Sequence, residues 1–355
     1  MPFAALGRYN PHMNRSPLLR ITSAGLYCEV GGFHVDPWHP VARAITTHAH
    51  ADHFVAGCKQ YVTAASGRKI LQHRLGPRAD IFPLEFGTVL DCFGVKVSLH
   101  PAGHILGSAQ VRVEYRGEVW VISGDYKVAA DTTCTPFEPI RCDTFVTEST
   151  FGHPYFTWDD QQTIFDRIHQ WWADNQRAGQ ASVVYAYSLG KAQRLLAGLD
   201  PQQGPLHVHP QIDVLNGFYR GEGIALPATQ VLTEDSTTQA WDQSLIVLPP
   251  RERWHMNFPW ASRYQTAFVS GWMVLPDGPH QRRVQTGFAL SDHADHQELL
   301  DTVAATGAEN VFVTHGYLDL LTERLRSLGL NAQPLKTPRC QTPPKIPAAQ
   351  RELGF

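Results

Sequence analysis

Thr47-His48-Ala49-His50-Ala51-Asp52-His53 is the stretch on which the reading of this chain turns. Three imidazoles and one carboxylate fall within six residues, directly after Ala44-Ile45-Thr46, which reads as the end of a strand. Neither core packing nor a solvated polar loop explains that density. On extended backbone the side chains at i and i+2 point the same way. His48 and His50 can therefore grip one cation, while Asp52 and His53, expected at the turn into a helix, grip a second. Imidazole and carboxylate together suit zinc, with manganese as a substitute.

Two segments further along supply what that run lacks. Pro101-Ala102-Gly103-His104-Ile105-Leu106-Gly107-Ser108 places one histidine in a glycine-flanked loop. Ser123-Gly124-Asp125 ends the apolar run Glu118–Ile122 with a carboxylate, and one carboxylate can reach two ions. Around these loops the first third is strand-rich. Leu26–Val30, Phe33–Val35, Val95–Leu99 and Gln110–Tyr115 read as strands, and Arg116-Gly117 as a hairpin turn. From about Gln161 the apolar spacing becomes helical, through Ile164, Ile168, Trp171 and Trp172. Ala181–Tyr187 reads as a strand, Ala192–Leu199 as a helix, and Thr266–Ser270 and Asn310–Thr314 as late strands.

The H-x-H-x-D-H run followed in order by His104 and Asp125 resembles the metallo-β-lactamase superfamily. That resemblance implies an α/β fold, the αββα sandwich, with two divalent metal ions bound. It also implies that Asp36, in Val35-Asp36-Pro37, orients a ligand imidazole from behind. A plain turn aspartate before proline is the alternative there. His315, in Val313-Thr314-His315-Gly316, is the candidate last ligand, and it lies 190 residues after Asp125. A domain-sized insertion of that kind resembles the β-CASP branch, whose members cut DNA or RNA. Glu148, in Val146-Thr147-Glu148-Ser149-Thr150-Phe151-Gly152, and His293, in Ser291-Asp292-His293-Ala294-Asp295, match its further motifs. The implied organisation is residues 1–150 and 286–335 for the metal-binding sandwich, 151–285 for the β-CASP unit, and 336–355 for a Pro-rich tail.

Within that branch, Glu148–Gly152, Tyr187-Ser188-Leu189-Gly190-Lys191 and Ser270-Gly271-Trp272 resemble the DNA cross-link repair nucleases related to Artemis. The whole is most similar to bacterial ligase-associated DNA exonucleases, which implies DNA as substrate and a ligase and a helicase as partners. One departure keeps RNA open: the Artemis group usually lacks a histidine where His315 stands, and RNA-cutting members keep it. A small-molecule hydrolase and a scaffold with a degenerate site are the more distant alternatives; the insertion disfavours the first and the intact ligand positions the second.

The chemistry expected is hydrolysis of a phosphodiester between two metals. The metal set is His48, His50, Asp52, His53, His104, Asp125 and His315. Asp52, Glu148 and His293 form the catalytic group with Asp36 behind them, His293 acting as general acid on the leaving oxygen and Glu148 holding its tautomer. Ser188, Lys191 and Arg194 follow a strand and open a helix, a place where a terminal 5′ phosphate can bind. Ser188 as an ordinary helix cap is the equal alternative. Arg68-Lys69, Arg251, Arg253, Arg263 and Arg282-Arg283 could follow a nucleic-acid backbone or be plain surface charge. Trp272 reads as core packing before base stacking.

Bulk composition sets wide bounds. The 355 residues are 43% hydrophobic and 18% charged, which supports a sizeable core and excludes global disorder. The formal charge of −3 lacks the basic excess of a general nucleic-acid binder, although two dications would reverse the sign of one cleft. Six cysteines without a C-x-x-C pair read as reduced thiols. No leader peptide and no membrane span is read, so the expected location is cytoplasmic.

Overall fold

The computed structural model describes residues 17–233, 240–251, 263–338 and 343. Its first sheet runs in chain order through Arg20–Thr22 (β1), Gly25–Cys28 (β2), Phe33–Val35 (β3), Arg43–Ile45 (β4), Gln60–Ala64 (β5) and Ile81–Leu84 (β6). β1 to β3 meander antiparallel, and β3 to β6 run parallel. The second sheet opens with an antiparallel meander of Val89–Cys92 (β7), Val95–Pro101 (β8), Ala109–Tyr115 (β9) and Glu118–Ile122 (β10). Arg116 and Gly117 make the expected turn between β9 and β10, both at positive φ (52° and 85°), as a two-residue hairpin of matching twist requires. Thr144–Glu148 (β11) then joins β10 in parallel.

Alternation explains how these two sheets meet. Val95, Val97 and Leu99 of β8 and Val111 and Val113 of β9 face inward, while Lys96, Arg112 and Glu114 face out. The inward rows bury against Leu26, Phe33, Val35, Ile45 and Val62 of the first sheet. Arg68–Leu75 (α1) covers the outer face of the first sheet through Ile70 and Leu71.

The chain then leaves this pair of sheets. Gln161–Arg177 (α2) starts on the Asp160 cap and leads into a third sheet, parallel throughout. Its strands are Ala181–Tyr185 (β12), Leu206–Val208 (β13), Gln230–Val231 (β14), Leu245–Leu248 (β15), Tyr264–Val269 (β16) and Thr286–Phe288 (β17), in the order β14-β13-β15-β12-β16-β17. A parallel sheet covered on both faces needs unbroken apolar runs, and Leu245-Ile246-Val247-Leu248 is one. α2, Lys191–Ala197 (α3) and Pro210–Gly221 (α4) cover one face through Ile168, Trp172, Leu195 and Ile212. Trp241 and Met273 cover the other. A short helix, Gly278–Gln281 (α5), precedes β17.

After this insertion the chain returns to the second sheet. His296–Thr306 (α6) is followed by Asn310–Thr314 (β18), Leu318–Ser327 (α7) and Asn331–Pro334 (β19). β18 pairs parallel with β11, and β19 with β18. Leu299, Val303, Leu321 and Leu325 of α6 and α7 seal the outer face over Phe145, Val311 and Val313. The layers are therefore helix, sheet, sheet, helix, the expected αββα sandwich, with an α/β unit inserted between β11 and β18. Three local expectations change. The strand at Leu26 ends at Cys28, and the one at Ala181 ends at Tyr185. No helix begins after His53, where turns lead on to β5 and α1 is the first α-helix described. Of the Pro-rich tail, only 336–338 and 343 lie among the described residues.

Candidate metal centre

The site gathers at the carboxyl ends of the central strands. β4 runs into Thr46–His53, β8 into the His104 loop, β10 into Asp125, β11 ends on Glu148 and β18 runs into His315. Parallel β10, β11 and β18 put their ends along one edge, the usual place for a site in such sheets. Gly124 sits at φ +58° with Thr47 so close that a Cβ would lie 2.7 Å from its Cβ, so only glycine lets β10 approach the histidine loop.

His48, His50, His104 and Asp125 fall within 4.8 Å of one another through their ligand atoms, as do Asp52, His53 and His315. Asp125 Oδ2 lies 3.6 Å from His48 Nε2, 3.8 Å from His104 Nε2 and 3.4 Å from His53 Nε2, and so between the two groups. Proton accounting shows what they suit. His50 Nε2 faces the Leu189 carbonyl at 3.3 Å and His104 Nδ1 the Asp292 carbonyl at 2.7 Å. A carbonyl only accepts, so both those nitrogens carry the proton. Thr47 Oγ1 donates to Asp36 Oδ2 at 2.6 Å and so accepts from His48 Nδ1 at 3.1 Å. The remaining nitrogens, His48 Nε2, His50 Nδ1 and His104 Nε2, are bare lone pairs, yet they face each other at 3.0–3.1 Å. Burial pushes His48 and His104 far below the ordinary imidazole range, which keeps them neutral. Three converging lone pairs repel unless a cation lies among them. Nitrogens about 2.0–2.1 Å from a tetrahedral zinc would be about 3.3 Å apart, close to the spacing found.

The second group is set the same way. Asp36 accepts from the Thr47 amide at 2.8 Å and from His53 Nδ1 at 2.8 Å, leaving buried His53 Nε2 and Asp125 Oδ1 without hydrogen-bond partners. Asp36 holds its place at φ +42°, and His315 at φ +56°, both uncommon for residues other than glycine. His315 stacks its ring on His53 at 5.1 Å. Although burial pushes the Asp125 carboxyl up, His53, which Asp125 and Asp36 raise well above the ordinary imidazole value against its own burial, and then His293 hold that carboxyl well below the carboxylate range.

Glu148 and His293 stand beside these groups as a pair. His293 Nδ1 donates to Glu148 Oε1 and Oε2 at 3.0 and 2.9 Å, and the Tyr126 amide donates to Oε1 at 2.7 Å. Burial pulls the imidazole down, but the Glu148 carboxylate, helped by Asp125 and Asp292, raises it to about 9. The ring also lies tilted against His104, 4.6 Å between centroids. The sequence reading missed Thr47, the Leu189 carbonyl and Asp292. Asp292 falls within ligand distance of His104 and His293, and its only signal was a place inside the His293 motif.

Ser188, Lys191 and Arg194 do not converge on an open anion pocket. Ser188 turns to Gln211 at 3.4 Å, and Gly190, not Ser188, caps α3. Lys191 is buried in an ion pair with Asp292, and Arg194 in one with Asp131. Both cations are neutralised by partners far away in sequence. Lys69 pairs with Glu222, Arg282 lies over the Phe268 ring, and Trp272 packs on Phe151 and Phe156. Arg253 lies outside the described residues.

No protein-family profile matches the chain. It is 30% identical over 316 residues to a probable DNA ligase of Opitutus terrae, an alignment covering 87% of this chain and 30% of that protein. It is 31% identical over 133 residues to cleavage and polyadenylation specificity factor 73 of Drosophila melanogaster, covering 36% and 19%. Against the endoribonuclease YSH1 of Candida glabrata it is 28% identical over 119 residues, covering 33% and 15%. The chain thus spans 30% or less of the length of these relatives. A crystal structure of a protein of unknown function from Enterococcus faecalis shares the fold, with a TM-score of 0.55 at 12% identity over 84% of this chain and 80% of that one. Sandwich, insertion, ordered motifs and relatives are together consistent with the β-CASP branch of the metallo-β-lactamase superfamily.

Proposed function

We propose that this chain is a metal-dependent phosphodiesterase that degrades DNA, an exonuclease of DNA repair working from a 5′-phosphate end. The observation that carries the reading is the pair of converging ligand groups sharing Asp125, with the His293–Glu148 pair at their edge. His48, His50, His104 and Asp125 would hold one divalent ion; Asp52, His53, His315 and Asp125 would hold the other, zinc first and manganese as its substitute. Bound there, such ions supply a hydroxide nucleophile near neutral pH and offset charge on the phosphate oxygens. The chain's own residues do the rest. Asp36 keeps the proton of His53 on Nδ1. His293, protonated on both nitrogens near neutral pH, gives its Nε2 proton to the departing 3′ oxygen. Glu148 holds the Nδ1 proton and offsets the charge of the imidazolium.

The probable DNA ligase supports DNA as the substrate and a ligase as partner, while a helicase of the same repair pathway rests on the likeness to ligase-associated exonucleases. The 5′ polarity rests on the likeness to ligase-associated exonucleases. Ribonuclease action is the second reading, favoured by His315 standing within the centre and by the endoribonuclease relatives. One experiment separates them: digestion of end-labelled single- and double-stranded DNA and RNA, with 5′-phosphate and 5′-hydroxyl ends, under zinc, manganese and magnesium. Mononucleotides released from DNA 5′-phosphate ends are expected. Internal cuts in RNA with DNA left intact would replace the first reading by the second, and no cleavage under any metal would remove both.

A further inference from the structure

The turn from β12 into α3 belongs to the inserted unit, yet it touches the metal centre at four places. The Leu189 carbonyl takes the His50 Nε2 proton. Gly190, at φ +85°, approaches Ile105 so closely that a Cβ would lie 2.3 Å from Ile105 Cγ2, beside His104. Lys191 Nζ pairs with Asp292, whose carbonyl takes the His104 Nδ1 proton. Arg194 donates from Nη1 to the Ser291 carbonyl at 2.6 Å and pairs with Asp131, in the loop that follows Asp125. All four charged side chains are buried, with 2–7% of each side chain exposed.

Buried ion pairs are costly relative to apolar packing of the same volume, so stability alone is a poor reason for two of them side by side. What they do geometrically is hold three chain segments in one place. Those segments are the Leu189–Arg194 turn, the Ser291–His293 loop and the Asp131 loop. Two of them present the carbonyls that decide which nitrogen of His50 and His104 faces the centre.

We propose that Lys191 and Arg194 are positioning residues: through them the inserted unit fixes the carbonyls of Leu189 and Asp292, and so presets His50 and His104 for metal. The inserted unit is then part of the metal site's own support. This inference rests on the metal centre of the preceding proposal, and it gives Lys191 a task other than binding a terminal phosphate.

Coulomb's law makes the test discriminating. Lys191→Met or Arg194→Met deletes a positive charge near a site for two cations, so pure electrostatics predicts tighter metal binding. Lost positioning predicts weaker binding, by about 10–100-fold, as when other residues behind metal ligands are removed. Zinc affinity of the metal-stripped full chain would be measured by competition with a chromogenic chelator, with circular dichroism to verify folding. Weaker binding is expected for both variants, and unchanged or tighter binding overturns the proposal. Should either single variant fail to fold, Arg194→Met/Asp131→Leu removes the pair with no change in net charge. That double variant is expected to melt near wild type and still bind zinc weakly; wild-type affinity would overturn the proposal. Wild type that binds neither zinc nor manganese would take down the metal centre itself, and the inference with it. Wild type that binds, with variants that bind equally well, removes only the inference. On DNA, positioning lowers rates on 5′-phosphate and 5′-hydroxyl ends alike. A loss confined to 5′-phosphate ends would show Lys191 to be a phosphate ligand instead.

Discussion

At the scale of single residues, the site separates into groups that face the centre and groups that fix how those groups face it. Asp125 belongs to the first kind, lying 3.4–3.8 Å from three imidazole nitrogens. Asp125→Ala is expected to lose both metal and activity. His293 belongs to neither metal group as proposed. His293→Ala should keep its metal content while cleavage falls by about 10²–10⁴-fold, the ordinary worth of a positioned proton donor. Elemental analysis alongside end-labelled digestion checks both, and wild-type cleavage by His293→Ala would refute the general-acid role. At this scale the sequence was most legible where side chains do the work. The H-x-H-x-D-H run, His104, Asp125, Glu148, His293 and His315 all come to one edge of the sandwich. Backbone carbonyls such as that of Leu189 leave no trace in a sequence, and the partners of Lys191 and Arg194 lie 101 and 63 positions away. Without sight of Asp292 and Asp131, two buried cations near a helix start resemble an anion pocket.

At the scale of elements, the readable strands were those with several alternating or wholly apolar residues, such as β8, β9 and β10. β13, β14 and β17 are two or three residues long, too short to show a period, and only pairing in the sheet defines them. Cys142 shows what burial beside an element does to an ordinary group. It sits beneath α6 in the core sealed by Leu299 and Val303, and burial pushes its thiol up to about 12 from an ordinary 9.0. In the unfolded chain that thiol ionises near its ordinary value, while in the fold it stays protonated. Its contribution to stability is therefore whole below about pH 9 and is lost as pH rises towards 12. Cys142→Ala should melt with a shallower alkaline decline than wild type over that window. Parallel declines in denaturant melts from pH 8 to 11 would count against it. Cys28, Cys58, Cys92, Cys134 and Cys142 are all buried and free, in keeping with the reduced thiols expected; Cys340 lies outside the described residues.

At the scale of the whole molecule, the centre is a seam. Its ligand groups come from β4, β8, β10 and β18, with the inserted unit closing over them, so metal should brace the fold as well as the chemistry. Binding to the folded chain alone adds about 2.7 kcal/mol per site when free metal stands 100-fold above Kd. Stripping metal with a chelator is expected to lower the melting temperature by several degrees, and zinc or manganese to restore it; identical melts with and without metal would contradict two bound ions. The insertion has one more effect, on the order in which the chain can fold. β11 is buried along all five residues, and its outer neighbour β18 begins 162 positions after β11 ends, from 148 to 310. A ribosome adding about 5–20 residues per second leaves that apolar edge without its partner for about 10–30 s. An open edge of Phe145 and Val146 is a template for pairing with another chain. A chain stopped at Thr306, with the inserted unit intact and β18 missing, should scatter light and sediment as aggregates; a monomeric, cooperatively melting product would rule this out. During synthesis the vulnerable surface is thus the half-built sheet beneath the centre, and the nascent chain needs shielding from its neighbours until residue 314 has emerged.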